Sequence, residues 1–514
     1  MDDQEGRFPG NQSKAKCLDA EIPDNELPFD ENALPLPYEH IPASIATLKE
    51  CAEHQIRSLL DKDPSLWTPE DEDAVDDGFV LCDINVVRKK LSVWRSLFPR
   101  IKPFMALKCN PDPMVAAVLG LSGAAGFDCA SVPEIRLALQ SCRRSSQSAT
   151  ESDASRFCVY ANPQRAEKDL DTALALSVRS LTFDGSEELR KVHRAYQKQV
   201  EASADDNVPP PPPPDMILRV LVPDHHSTVP LGEKFGASPI TVKLLTELAV
   251  QLQLPIVGVS FHCGSGNHDP TSFKTAIQLA VEAMEVVDRV QQAAGIRETC
   301  WLLDIGGGYP GLDGMGGDRF RFVGSDAQRL QQPGDKNDSK EEESAANIAH
   351  IVSPLLDELF PADTSHVQFI SEPGRYFVEG AFALCSRIYR VRVEQDANGK
   401  EDRMHYYIAQ GVQGVFKDCV LCSESFLPIP LALDHSSSDE DAASSVSSMK
   451  CTVHGPSGED YDIICQDYDL PVLKIGDWLI FDRMGAYTLS IAARNGRPPV
   501  RYLMGDSSLQ VAPS

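Results

Sequence analysis

The stretch FMALKCNPDP, residues 104–113, reads as a short apolar strand that ends on a lysine, Lys108, before a turn bounded by two prolines. Proline fixes φ and lacks an N–H, so the strand cannot run on through Pro111 and Pro113. Seven further runs of this kind follow: GFDCA (126–130), FCVYA (157–161), SLTFD (180–184), MILRVLV (216–222), IVGVSFH (256–262), CWLLDIG (300–306) and VQFISE (367–372). Between them stand stretches with apolar residues at helical spacing, among them PEIRLALQSC, SEELRKVHRAYQKQV, ITVKLLTELAVQLQ and FKTAIQLAVEAMEVVDRVQQA. Eight strands alternating with helices predict an α/β fold, a (β/α)8 barrel of the TIM type. A doubly wound sheet is the alternative, but no GxGxxG opens a helix after a first strand.

Past about residue 385 the rhythm changes. ALCSRIYRVRVEQ, HYYIAQGV, CTVHG, YDIICQ and DWLIFDRMGAYTLSIAA read as strands joined by Gly, Asp and Pro turns. They predict a second, all-β domain of Greek-key-like barrel type. The expected division is an acidic N-terminal extension over 1–77, partly irregular with segments joining the β domain, a barrel over 78–385 and the β domain over 386–514. Four polar segments read as insertions, at 145–155, 208–215, 331–347 and 435–448. The second holds a hexaproline run, stiff as polyproline II; the others are too polar to bury surface.

With 42% hydrophobic and 24% charged residues among 514, the chain is globular and long enough for two or three domains. A formal net charge of −28 argues against nucleic acid and anionic membranes as partners. No apolar run approaches the ~18 residues that a membrane span needs. The opening MDDQEGRFPGNQSKAK lacks the apolar core of a secretory signal. The 14 cysteines fall mainly inside apolar runs, as at Cys82, Cys129, Cys158, Cys300 and Cys385, which reads as reduced thiols in the cytoplasm. The CxxC of Cys419 and Cys422 has no second ligand pair and HExxH is absent, so no metal site is expected.

In a barrel of this type the active site gathers at the C-terminal ends of the strands. There the sequence places Lys108, Asp128, Asn162, Asp184, His262 before Cys-Gly-Ser-Gly, Asp304 before Ile-Gly-Gly-Gly, and Glu372 before Pro-Gly-Arg. Each alone has an ordinary reading, such as a lysine reaching for water or a satisfied core histidine. Together they describe one site. Gly306, Gly307 and Gly308 bring bare N–H groups close together, as a phosphate requires, and no Gly-Lys-Ser/Thr follows to make a nucleotide loop. Arg375, behind Gly374, offers a guanidinium fork to the same phosphate. One cofactor takes a lysine, a phosphate cradle and a carboxylate at a ring nitrogen: pyridoxal 5′-phosphate.

These residues sit in longer motifs. PFMALKCN, GFDCAS, VSFHCGSG, LLDIGGGYPG, ISEPGRYFVEGAF and GDWLIFDRMGAYT, in that order, resemble the eukaryotic ornithine decarboxylases. These belong to the alanine-racemase-fold (group IV) pyridoxal-phosphate decarboxylases. The likeness runs from about residue 78 to 505 outside the insertions. It implies Lys108 as the residue bound to the cofactor, Glu372 against the ring nitrogen, His262 on the ring face and Asp128 nearby. It implies Ser265, Gly307, Gly308, Arg375 and Tyr487 around the phosphate. It further implies a homodimer with shared active sites, joined by an ion pair between Lys234 and Asp462, and an antizyme-like regulator as a partner.

Three positions depart from the family pattern. Gln410 stands where the family carries an acid for the substrate's terminal ammonium. Ser457, Gly458 and Glu459 replace Thr-Cys-Asp, which removes a catalytic thiol and leaves a carboxylate. Asp171 stands where the family often has an arginine near the site. The implied function is decarboxylation of a basic amino acid to a polyamine precursor such as putrescine. Ornithine leads, with lysine and arginine open, and Gln410 and Glu459 line the substrate. The alternative is a catalytically impaired regulator of the antizyme-inhibitor type, which has no physical need for Lys108, Glu372, Arg375 and Tyr487.

Overall fold

The computed structural model describes residues 33–42, 45, 47–143, 155–205, 207–232, 234–267, 269–297, 300–311, 345–422, 424–433, 448–493 and 496–505. The insertions expected at 145–155, 331–347 and 435–448 lie, but for edge residues, outside the described residues. The hexaproline segment is described. It is irregular, and it is pinned by Tyr196 Oη donating to the Pro211 carbonyl (2.9 Å) and Arg179 donating to that of Pro212 (3.0 Å).

The barrel consists of strands Ile101–Ala106, Gly126–Cys129, Cys158–Tyr160, Ser180–Phe183, Asp215–Arg219, Ile256–Ser260, Leu302–Asp304 and Gln368–Ser371. All run parallel in chain order, and the eighth closes on the first with Phe369 opposite Ile101. Inward-facing Phe104, Val159, Ile217, Val257, Leu302 and Ile370 fill the interior, so the barrel is a packed core with its chemistry at one end. Helices Val132–Arg143, Ser186–Asp205, Pro239–Gln251 and Thr271–Ala293 lie where the sequence periodicity put them. The first strand starts three residues earlier than expected and keeps Pro103 within it; it ends at Ala106, which places Lys108 in the following turn. That turn is closed by Cys109 N–H donating to the Ala106 carbonyl (3.0 Å).

The second sheet is built around the long strand Phe382–Gln395. Its first half pairs antiparallel with Phe79–Asp83 and Trp478–Phe481, and its second half with Glu401–Ile408. Ser448–His454 and Ile463–Pro471 extend one side; Val500–Met504 and Glu39–His40 extend the other. Phe79–Asp83 is thus a β-domain strand, although the sequence reading put residues 78–83 at the start of the barrel. A continuous apolar run such as FVLC suits a buried strand of either sheet, so composition could not assign it. Helices Leu48–Leu60 and Pro69–Asp76 cover this sheet, packing Ile56, Leu59 and Ala74 against Phe79, Trp478, Ile480 and Leu503.

The loop carrying Lys108 is clamped between the two domains. Asn110 donates to the Gly485 carbonyl (2.8 Å), and the Cys109 carbonyl accepts from Tyr487 N–H (3.1 Å) and Ser490 Oγ (2.9 Å). Asp112 caps helix Pro113–Leu121 by accepting from Met114 and Val115 N–H, and takes Tyr502 Oη at 2.7 Å on its other oxygen.

Candidate active site

Lys108 Nζ lies 2.5 Å from Asp128 Oδ2 at the end of the second barrel strand. Asp128 is wholly buried, and its Oδ1 has no hydrogen-bond partner among the described residues. Burial opposes a charge on Lys108, but Asp128, Glu372 and Tyr487 outweigh it and hold the ammonium well above its ordinary pKa. Lys108 is therefore kept protonated until something displaces Asp128 or neutralises it.

Glu372 follows the eighth strand and Asp304 ends the seventh, so adjacent strands bring their carboxyls into hydrogen-bonding reach. Asp304 Oδ1 accepts from Gly306 N–H at 2.9 Å; its Oδ2 is buried, with no backbone or basic donor among the described residues. Burial, then the neighbouring carboxylates, pushes Glu372 well above the ordinary carboxylate range; burial raises Asp304 to about 7, with the Gly306 N–H and the Glu372 carboxyl opposing. Two carboxyls in contact attract only when they share a proton, so the pair holds one. Such a pair is built to receive a cationic N–H.

Arg219, at the end of the fifth strand, faces this group. Burial lowers its pKa, and Glu372, Asp184, Asp128 and Asp304 act to raise it. Its guanidinium also covers the Phe235 ring at 4.9 Å. The sequence reading looked for a site arginine at Asp171 and missed Arg219. Asp171 lies on the outer helix Glu167–Ala175, paired with Lys198 at 2.9 Å. The available signal was a cation closing the apolar run MILR.

His262 Nδ1 accepts from Gly264 N–H at 3.0 Å, which leaves the proton on Nε2. Burial, then Arg219 and Lys108, drive its pKa well below the usual value, so the ring is neutral. The glycine turn is packed against this ring: a Cβ on Gly307 would sit 2.8 Å from His262 Nε2 and 2.7 Å from the Glu372 carbonyl oxygen. Gly308 has φ +109°, and a Cβ there would meet the Gly264 carbonyl oxygen at 2.7 Å. Only glycine fits this close approach. Gly306 lies under the same turn, its carbonyl accepting from Glu372 N–H (2.7 Å) and Ser371 Oγ (2.6 Å). Ser265 lies close by on strand Ser265–Asn267, which pairs antiparallel with Ser227–Val229 in an unexpected two-stranded sheet.

Arg375, next to Gly374, has a buried Nε with no partner among the described residues; its guanidinium lies 3.5 Å from Glu379 and 5.6 Å from the Tyr487 ring centre. Tyr487 is held at φ +54°. The structure thus brings Lys108, Asp128, His262, Asp304, Glu372 and the glycine turn together, with Arg375 and Tyr487 bordering them. A buried Asp128 oxygen and an Arg375 N–H without partners among the described residues, beside a cradle that a side chain would fill, fit pyridoxal phosphate.

Other expected residues lie elsewhere. Asn162 serves its own turn, accepting from Gln164 N–H at 3.1 Å, and Asp184 accepts from Gly236 N–H at 3.0 Å. Gln410 is buried, with Nε2 donating to the Asp77 carbonyl at 3.3 Å. Glu459 is exposed on the loop 456–461. Asp462 was expected to pair with Lys234 of a second copy. Within one chain it is only 2% exposed, and its oxygens accept from Val412 N–H (2.9 Å), Ser457 N–H (3.0 Å) and Ser457 Oγ (2.7 Å). That carboxylate anchors its own loop. Among the described residues no cluster of three metal-ligating side chains occurs, and no helix is long and apolar enough to cross a membrane.

The family profile described as "Pyridoxal-dependent decarboxylase, pyridoxal binding domain" matches residues 84–379. The chain is 32% identical over 446 residues to ornithine decarboxylase of Rattus norvegicus, covering 85% of this chain and 82% of that one. It is 34% identical over 438 residues to antizyme inhibitor 2 of Xenopus laevis, covering 83% and 81%. Among solved structures it is similar to the arginine decarboxylase of Paramecium bursaria Chlorella virus bound to agmatine (TM-score 0.63, 26% identity, 83% of this chain and 96% of that one). The lysine/ornithine decarboxylase of Vibrio vulnificus complexed with cadaverine shares the fold (TM-score 0.61, 21% identity, 90% and 100% covered). A closed barrel, a lysine set among carboxylates at its mouth and relatives matched over most of their length lead to one assignment: the chain belongs to the pyridoxal-dependent decarboxylase family.

Proposed function

We propose that this protein decarboxylates a basic amino acid to a diamine or related polyamine precursor, with ornithine the first substrate to test and lysine and arginine next. The observation that carries the reading is Lys108 held against Asp128 in the same mouth as the Glu372–Asp304 pair and the glycine turn. Lys108 would bind the cofactor covalently. Bound there, pyridoxal phosphate supplies a sink for the electron pair released when the substrate's carboxylate leaves as CO2. Glu372 would hold a proton at the ring nitrogen, with Asp304 fixing its carboxyl. Neutral His262 would lie against the ring face without adding charge. Ser265, the N–H groups of the glycine turn, Arg375 and Tyr487 would bind the phosphate and exclude water from it.

The working form is proposed to be a cytoplasmic homodimer. The loop 456–461 is exposed, and Glu459 on it would reach a second copy's site and return a proton to Cα, the task for which Gly458 offers no thiol. Gln410, with one Nε2 hydrogen on the Asp77 carbonyl, offers the substrate an amide in place of a carboxylate. A second reading, a non-catalytic regulator that binds an antizyme-like partner, is favoured by those two replacements and by the antizyme inhibitor 2 relative. The retained Lys108, Glu372, Arg375 and Tyr487 weigh against it. The test is CO2 release from a panel of amino acids, with product identification. Release from ornithine, lysine or arginine supports the enzyme; none from any member of the panel by cofactor-loaded protein supports the regulator.

A further inference from the structure

Glu379 is a buried carboxylate to which the proposed chemistry gives no task. It is 5% exposed and lies one helical turn beyond Arg375, where the chain leaves the barrel for the long strand Phe382–Gln395. Its Oε1 lies 3.5 Å from the Arg375 guanidinium and accepts from that of Arg483 at 3.2 Å. Burial opposes a charge on Glu379, but Arg375 and Arg483 outweigh it and hold the carboxyl below its ordinary range. One ionised oxygen is therefore shared by two guanidinium groups, one from the barrel side and one from the β domain. Remove that charge, and two buried cations face each other with nothing between them.

The two arginines belong to the two segments that border the cofactor's phosphate in the proposed function. Arg375 keeps a buried Nε without a partner among the described residues. Arg483, at φ +62°, enters the turn that reaches Tyr487, at φ +54°. That turn is fastened to the Arg375 segment. Met484 N–H donates to the Phe382 carbonyl (2.9 Å), Gly485 N–H donates to the Glu379 carbonyl (3.4 Å), and a Cβ on Gly485 would run into the Val378 carbonyl. The Tyr487 ring then lies 5.6 Å from the Arg375 guanidinium, and its N–H donates to the Cys109 carbonyl beside Lys108. We propose that Glu379 and Arg483 form a latch between the domains that positions Arg375 and Tyr487 together and so sets how tightly the phosphate is held. This rests on the reading of Arg375 and Tyr487 as phosphate ligands and adds what fixes them; Glu379 and Arg483 act through those two side chains.

The test is equilibrium binding of pyridoxal 5′-phosphate, and of pyridoxal, which lacks the phosphate, to cofactor-free protein, read by visible absorbance. Wild type is compared with Glu379→Gln, Arg483→Met, the double variant and Arg375→Ala. Glu379→Gln and Arg483→Met should each weaken pyridoxal phosphate about tenfold, the scale of one charge-assisted hydrogen bond, and leave pyridoxal unchanged. The double variant should bind no more weakly than either single one, because both break the same latch. Arg483→Lys, which keeps the charge, should recover part of the loss. A general structural fault would weaken both ligands together, and a carboxylate that merely repels phosphate would bind pyridoxal phosphate more tightly once neutralised. Either result in Glu379→Gln, or affinity equal to wild type, overturns the proposal. If Glu379→Gln fails to fold, Arg483→Met decides by the same comparison, since the Arg483 side chain is 26% exposed. Arg375→Ala keeps the two readings apart. A selective loss of pyridoxal phosphate there, without one in Glu379→Gln, overturns the latch alone; no loss there removes Arg375 from the phosphate, and the latch with it.

Discussion

Three buried carboxyls, Asp128, Asp304 and Glu372, surround one lysine at the barrel mouth, and their protons follow from burial and neighbours. Lys108 is in direct contact with Asp128, whereas Asp304 and Glu372 share a proton. A carboxyl whose folded pKa is raised contributes stability that is fully present below its unfolded value, about 4, and lost as pH rises through the folded one. The cofactor-free protein should therefore lose stability between pH 5 and pH 8. Asp304→Asn should lose less over that range, by about 1.4 kcal/mol for each pH unit in which the pair holds one extra proton. Denaturant melts of cofactor-free wild type and variant at the two pH values check this; parallel losses would mean that the pair does not share a proton. Lys108→Ala should abolish the visible absorption of bound cofactor, and in wild type borohydride should fix the cofactor to the peptide containing residue 108. Lys108, His262, Glu372 and the glycine turn were legible because strand ends and glycine runs mark them in sequence. Arg219 was not, since a cation closing an apolar run looks like any outward-facing arginine. The bonds from Val412 and Ser457 to Asp462 were not legible either, since nothing in the sequence brings those segments together.

Strands and helices were easier to place than their ends. The barrel strands stand close to the eight apolar runs, because turn residues punctuate them. The first was started late because proline argues against a strand interior, yet Pro103 lies within Ile101–Ala106. The pairing of Ser227–Val229 with Ser265–Asn267 is short, polar and distant in sequence, and leaves no period to read. The NPDP turn was read as a boundary, and its deeper role is as an anchor: Asp112 caps one helix and holds Tyr502 of the β domain. Asp112→Ala should cost about 2–3 kcal/mol, combining a lost cap with an orphaned buried hydroxyl. Because the same loop carries Lys108, cofactor affinity should fall with it. Chemical denaturation and cofactor titration measure the two effects; a loss of stability below about 0.5 kcal/mol would show that water replaces the cap.

At the scale of the molecule, the barrel supplies the lysine, the carboxyls and the glycine cradle, and the β domain supplies Tyr487 through the clamp on Cys109. Since loop 456–461 is exposed in one chain, the proposed activity should belong to a dimer, and sedimentation should show active material at twice the 56.3 kDa chain mass. Fully active material at the chain mass would refute shared sites. The interface of that dimer should be sought around the exposed loop and the expected Lys234–Asp462 pair. The most direct test of the account is CO2 release from ornithine, lysine and arginine by purified, cofactor-loaded protein, set against Lys108→Ala prepared in the same way. The account predicts stoichiometric release of CO2 and the matching amine from at least one of the three by wild type, and none by the variant. Release that survives in Lys108→Ala, or its absence in wild type with the cofactor bound at residue 108, would contradict it.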